Sequence, residues 1–122
     1  MVLSKPQLIQ DSQNIMWLSD AEYTVDLLEA YQFSADRYLE DDGSVTLGLN
    51  EIDLVENGSD EEMARTNMGQ GILEYAKHYY EDFDIFFHAP NRKGHLPYVI
   101  KALTINDPKR LGRLIICRDG KN

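Results

Sequence analysis

The chain is short of cysteine and of positive charge. Among its 122 residues stand one cysteine, one tryptophan and four prolines. The single Cys117 excludes an intramolecular disulfide and leaves a cysteine-based zinc site without ligands. A reducing, cytoplasmic setting is the simplest expectation. No apolar run approaches the ~20 residues of a membrane span, so no membrane partner is expected. Met1 to Asn14 lacks the long apolar stretch of a secretion signal. Lys and Arg number 12 against 21 Asp and Glu, a net charge of −9. That excludes a uniformly basic nucleic-acid binder, because a polyanion is repelled by the average surface. No nucleophile motif is visible. Cys117 follows Leu114-Ile115-Ile116, the setting of a buried and inert thiol. Gly69-Gln70-Gly71 lacks the rest of any phosphate-binding fingerprint. Neither cofactor nor metal is expected.

What is present fits a globular domain with one core. Its charge is uneven. Residues 1 to 87 hold 4 Lys+Arg and 19 Asp+Glu, a net of −15, and residues 88 to 122 hold 8 and 2, a net of +6. The acidic part includes Glu40-Asp41-Asp42 and Asp60-Glu61-Glu62; the basic part includes Arg92, Lys93, Lys109, Arg110 and Arg113. One reading is two solvated faces that partly compensate each other. The sharper reading is an acidic surface that docks onto a basic partner.

Short apolar pieces at Gln7–Ile9 and Ile15–Leu18, separated by a polar cluster, predict a hairpin. Ser19 or Asp20 then caps an amphipathic helix whose face is Ala21, Val25, Leu28 and Tyr31. Strands are predicted at Tyr38–Glu40 and Ser44–Leu49, joined through Asp42-Gly43 in a type I′ turn. A third is predicted at Glu51–Glu56, closed by a turn at Asn57-Gly58. Ser59-Asp60-Glu61-Glu62 reads as a capping box with Ser59 as the cap. The stripe Ala64, Met68, Ile72, Tyr75, Ala76 and Tyr79 then predicts a helix of more than four turns. Gly69 and Gly71 interrupt it, either because another backbone approaches closely or because the helix tolerates drift. Asp84–His88 fits a strand. Pro97 opens a short helix with Val99, Ile100 and Leu103 inward. Asp107-Pro108 opens another that runs to about Ile116, with Leu111, Leu114 and Ile115 inward, before a frayed tail from Arg118.

Glu74 and His78 are four apart on the long helix, which suits a metal pair or, more simply, two solvated side chains. His88 and His95 bracket Asn91-Arg92-Lys93, a structural loop or an anion or RNA contact. The aromatic residues Tyr75, Tyr79, Tyr80, Phe83, Phe86 and Phe87 read as core, with a minority free to form an exposed patch.

Four segments carry a resemblance. They are Leu27-Leu28-Glu29-Ala30-Tyr31-Gln32-Phe33, Asp42 to Leu47 leading to Asn50 to Gly58, Ile72-Leu73-Glu74-Tyr75-Ala76, and Ala89 to Lys93 through His95-Leu96-Pro97-Tyr98. Together they resemble the Phd-like antitoxins of bacterial toxin–antitoxin systems. The resemblance divides the chain into a partial Phd/YefM-type module at 1–33 (hairpin plus helix) and a HicB-like core with basic C-terminal helices at 34–122, in one compact unit. The fold so expected is α+β. A hairpin and helix precede a small antiparallel three- to four-stranded sheet, packed against a long helix and followed by two short helices. Phd-type domains begin with a further segment that dimerises and touches operator DNA. This chain starts after it, so DNA binding by this module is not expected.

The resemblance implies a non-enzymatic antitoxin that forms a homodimer and binds a cognate toxin. RelE-type toxins are basic because they bind messenger RNA, and an acidic surface can cover them. Glu40, Asp41, Asp42, Asp60, Glu61 and Glu62 are the expected toxin contacts. The alternative is a nucleic-acid-binding regulator that uses segment 88–122, with Arg92, Lys93, His95, Lys109, Arg110 and Arg113 on nucleic acid or another anion. A small hydrolase or nuclease would require carboxylates and His78 or His88 to converge.

Overall fold

The structure is a computed structural model. It describes two short strands, β1 (Leu8–Gln10) and β2 (Ile15–Trp17), and residues 30–120. β1 and β2 form the expected antiparallel hairpin, with Leu8 opposite Trp17. The helix expected after Ser19 or Asp20 lies outside the described residues, apart from its last helical residue, Ala30, which Tyr31 follows in a bend.

A second, four-stranded sheet follows. It contains β3 (Ser34–Leu39), β4 (Val45–Leu49), β5 (Leu54–Gly58) and β6 (Ile116–Asp119), in the order β5-β4-β3-β6. The α+β architecture is as expected, but the sheet is mixed, because β6 joins β3 in parallel. Residues 116–119 are therefore a strand and not a helix end and tail. The preceding helix ends at Leu114, where Arg65 donates from Nη1 to the carbonyls of Gly112 (3.0 Å) and Ile115 (2.7 Å). A cationic side chain on the last carbonyls is a common way to finish a helix. The β-branched Ile115-Ile116 pair then suits extended backbone.

The β3–β4 hairpin forms where Asp-Gly indicated, with a different turn. Glu40 N–H donates to Ser44 O and Gly43 N–H to Glu40 O, so the loop holds three residues, and of these only Gly43 has positive φ (+86°). This is a type I turn followed by a left-handed glycine. β5 starts three residues later than expected. Asn50–Asp53 form a turn with Asp53 at φ +53°, and Asn57-Gly58 pair within the ladder instead of turning.

Helix α1 (Glu61–Glu81) crosses β4 and β5. Its cap is the Asp60 carboxylate, which accepts from Met63 N–H at 2.8 Å, one residue after the expected Ser59. Its buried face contains the expected stripe, with Gly69 and Leu73 added and Tyr75 half-buried. Helix α2 (Phe83–His88) replaces the strand expected at Asp84–His88. Helical spacing brings Phe83 and Phe87 onto the core side, stacked at 5.0 Å, and turns Ile85 out to solvent. A short 3-10 turn (Lys93–His95) leads to α3 (Leu96–Ile105), and α4 (Pro108–Leu114) follows, capped by Asp107. Both proline-started helices are where the sequence indicated. Leu111 and Ile115 point inward; Leu114 is exposed.

The core lies between the sheet and the helices. Phe33, Ala35, Leu47 and Leu49 from the sheet meet Met68, Ile72 and Tyr79 of α1, Ile100 of α3 and Leu111 of α4. No described helix is long and apolar enough to cross a membrane.

Candidate functional site

The two acidic triplets meet at one end of the sheet. Val45 pairs with Gly58, so the β3–β4 hairpin carrying Glu40, Asp41 and Asp42 lies beside the start of α1 carrying Asp60, Glu61 and Glu62. Asn57 ties the two together by donating from Nδ2 to the hydroxyls of Ser44 (3.1 Å) and Thr46 (2.9 Å). These carboxylates do different work. Asp42 accepts from the Ser44 hydroxyl and backbone N–H, which holds its pKa below the ordinary value, and Asp60 caps α1. Glu61 is half-buried between Arg37 and Arg65, and their hydrogen bonds pull its pKa down. Arg37 also holds Asp119 of β6 at 2.7 Å. Glu40, Asp41, Asp42, Asp60 and Glu62 are exposed and make no salt bridge to another described residue.

No described element covers the face of the sheet turned away from α1. Alternation along β3 and β4 sends Ala35, Val45, Leu47 and Leu49 to the core and Asp36, Tyr38, Thr46 and Gly48 outward. Val55 of β5 and Ile116 of β6 share that outer face and are strongly exposed. A groove of about 360 Å³ runs over Gly48, between Tyr38 and Thr46 at the hairpin end and Asn50, Asp53 and Val55 at the other. This groove was not anticipated. Its one signal was a glycine at an outward position of an alternating strand.

The basic residues separate into two groups. Lys109, Arg110 and Arg113 are exposed on α4, which lies against α1 at Gly69. Arg92 and His95 lie farther along, beside Tyr75 and Tyr79, and Lys93 lies beside Phe87. Gly69 and Tyr79 are about ten residues apart, or ~15 Å on a helix rising 1.5 Å per residue. Arg92 packs over the rings of Tyr75 (5.5 Å) and Phe86 (5.6 Å), and Lys93 over Phe87 (5.5 Å).

Glu74 and His78 do not pair. Glu74 accepts from Gln70, and His78 lies 3.2 Å from Asp82. His88 Nδ1 lies 2.7 Å from the carbonyl of Asp84. His95 Nδ1 lies 2.6 Å from the Tyr75 hydroxyl, in a cleft of about 110 Å³ that Asp53, Asn91 and Arg92 also line. Burial and the nearby Arg92 push the His95 pKa down. Burial raises that of Tyr79 to about 12, while its hydroxyl donates to the Arg92 carbonyl. Cys117 is half-buried and its thiol is pushed up by burial, as an inert cysteine should be. Among the described residues no group of three or more His, Cys, Asp or Glu side chains could hold a metal ion.

Comparison with known proteins places this arrangement. A crystal structure of the antitoxin part of a candidate toxin/antitoxin system from Syntrophomonas wolfei subsp. wolfei superposes with a TM-score of 0.74 at 27% identity, covering 94% of this chain and 83% of that one. No match is found among curated proteins. The model of the Phd-like family, described as antitoxin of toxin–antitoxin, RelE/RelB, matches residues 1–116. The chain therefore belongs to the Phd-like family of antitoxins of RelE/RelB toxin–antitoxin systems.

Proposed function

We propose that the chain is a non-enzymatic antitoxin that neutralises a basic RelE-type toxin, and that the acidic end of its sheet makes the first contact. The observation that carries this reading is the convergence of Glu40–Asp42 with Asp60–Glu62 through the Val45–Gly58 register. Five exposed carboxylates there lack a cationic partner among the described residues. Such a patch attracts a basic surface before contact and raises the encounter rate. It also competes with RNA for the cations of the toxin.

The nucleic-acid reading draws less support. Its candidate residues form two groups, and Arg92 and Lys93 already cover aromatic rings. The test is the association rate of the chain with its toxin as salt increases. Glu40→Gln, Asp41→Asn and Glu62→Gln together remove charge without removing a turn or helix cap. The expected result is slower association and a flatter salt dependence. An association rate equal to that of the unaltered chain at low salt would contradict the proposal.

A further inference from the structure

We infer that the outer sheet face is the seat of an arginine- or lysine-bearing segment of the toxin, whose cationic side chain lies over Gly48 between Asp36 and Asp53. The inference rests on the antitoxin reading and adds to it a second surface, distinct from the acidic end.

Gly48 is the starting point. It lies in β4, an inner strand, with Asp36 of β3 and Val55 of β5 as its ladder partners. A Cβ there would meet nothing within 4 Å, and its φ is not positive. Neither packing against the described residues nor backbone geometry calls for glycine, although glycine weakens a strand interior. Gly94 is likewise free of neighbours, but it lies in a 3-10 turn and not in a strand; three other glycines contrast with Gly48. Gly69 and Gly112 are pressed against backbone, and Gly43 occupies a left-handed turn. The free space over Gly48 leaves room for an incoming group to approach the backbone closely.

The groove identifies that group by charge. Asp53 lines it and makes no salt bridge to a described residue. Asp36 lines it too, held 3.2 Å from the exposed Arg118. Tyr38, braced against the backbone of Gly120, supplies an aromatic wall, and a guanidinium or ammonium beside it gains a cation–π contact. Exposed Val55 and Ile116 offer apolar contact on the same face. A negative groove with an aromatic wall suits a basic side chain and its aliphatic stem. A second copy of this acidic chain is the weaker candidate, since like charges oppose it.

The experiment is calorimetric titration of the full chain with the purified toxin of its own operon. Gly48→Leu fills the groove at a position with free space, and Asp53→Asn removes its charge with a residue that tolerates left-handed backbone. Circular dichroism and Tm check folding; if Gly48→Leu fails it, Gly48→Thr replaces it. Folded Gly48→Leu is expected to bind about tenfold or more weakly, and Asp53→Asn several-fold more weakly. If both bind like the unaltered chain, the inference is overturned and the antitoxin reading stands. If the unaltered chain does not bind the toxin, the antitoxin reading itself fails, and the inference with it. If the chain alone is a dimer that Gly48→Leu converts to monomer, the face serves self-association and the inference is overturned.

Discussion

Gly69 lies so close to Pro108 that a Cβ on Gly69 would be 1.9 Å from the Pro108 carbonyl oxygen. The contact is reciprocated one turn on, where a Cβ on Gly112 would be 2.3 Å from the Arg65 carbonyl oxygen. Helices α1 and α4 thus meet backbone against backbone. Gly71 differs, because its nearest obstacle is the flexible end of the Glu56 side chain at 3.0 Å. Gly69→Ala and Gly112→Ala should each destabilise the fold by about 1–3 kcal/mol or more. Gly71→Ala should be neutral or stabilising by up to ~1 kcal/mol, since Glu56 can yield and alanine favours helix. Chemical denaturation of the three variants checks the opposite signs.

Arg65 ties α1 to the end of α4. It bonds Glu61 at 3.0 Å and also finishes α4 through the carbonyls of Gly112 and Ile115. Arg65→Met keeps the aliphatic stem and removes all three bonds. A loss of about 1–3 kcal/mol is expected, because partly buried carbonyls and a carboxylate lose partners. Hydrogen exchange at residues 115–119 should accelerate more than exchange at β4.

The Glu61 carboxylate, held between Arg37 and Arg65, has its pKa lowered in the folded state from the ordinary 4.5. A depressed carboxylate contributes stability above its unfolded value and loses it as pH falls through the folded value. Tm should therefore decline as pH drops below about 4.5. In Glu61→Gln the neutral-pH Tm should be lower and this part of the decline absent. Thermal melts at stepped pH read both.

His95 has a depressed pKa for another reason, burial beside Arg92. The unfolded chain takes up its proton near the ordinary 6.5, before the folded chain does. Stability should be full above about 6.5 and should fall as pH drops toward the folded value. His95→Asn should flatten the profile in that window. Nuclear magnetic resonance titration of the His95 ring should give a midpoint below 6.5, and a midpoint at or above it would contradict the burial argument.

Much of the fold was legible where one local signal sufficed. The Ala64–Tyr79 stripe, Pro97 and Asp107-Pro108 marked α1, α3 and α4 because periodicity and capping act over a few residues. Phe83–Phe87 was ambiguous, since a short aromatic run fits either period until the core selects a face. β6 was hidden because its reason to be a strand is β3, some 80 residues earlier. The acidic triplets were readable as clusters; their meeting depends on the register of β4 with β5. The groove over Gly48 depends on which side of the sheet the described helices pack against, and only the glycine in an alternating strand hinted at it.

The central claim is that an acidic surface neutralises a toxin, and growth of bacteria that express the toxin tests it most directly. Co-expression of the unaltered chain is expected to restore growth. The folded triple variant Glu40→Gln, Asp41→Asn, Glu62→Gln should restore it only at higher expression. No rescue by the unaltered chain, or equal rescue by the triple variant at every expression level, would contradict the account.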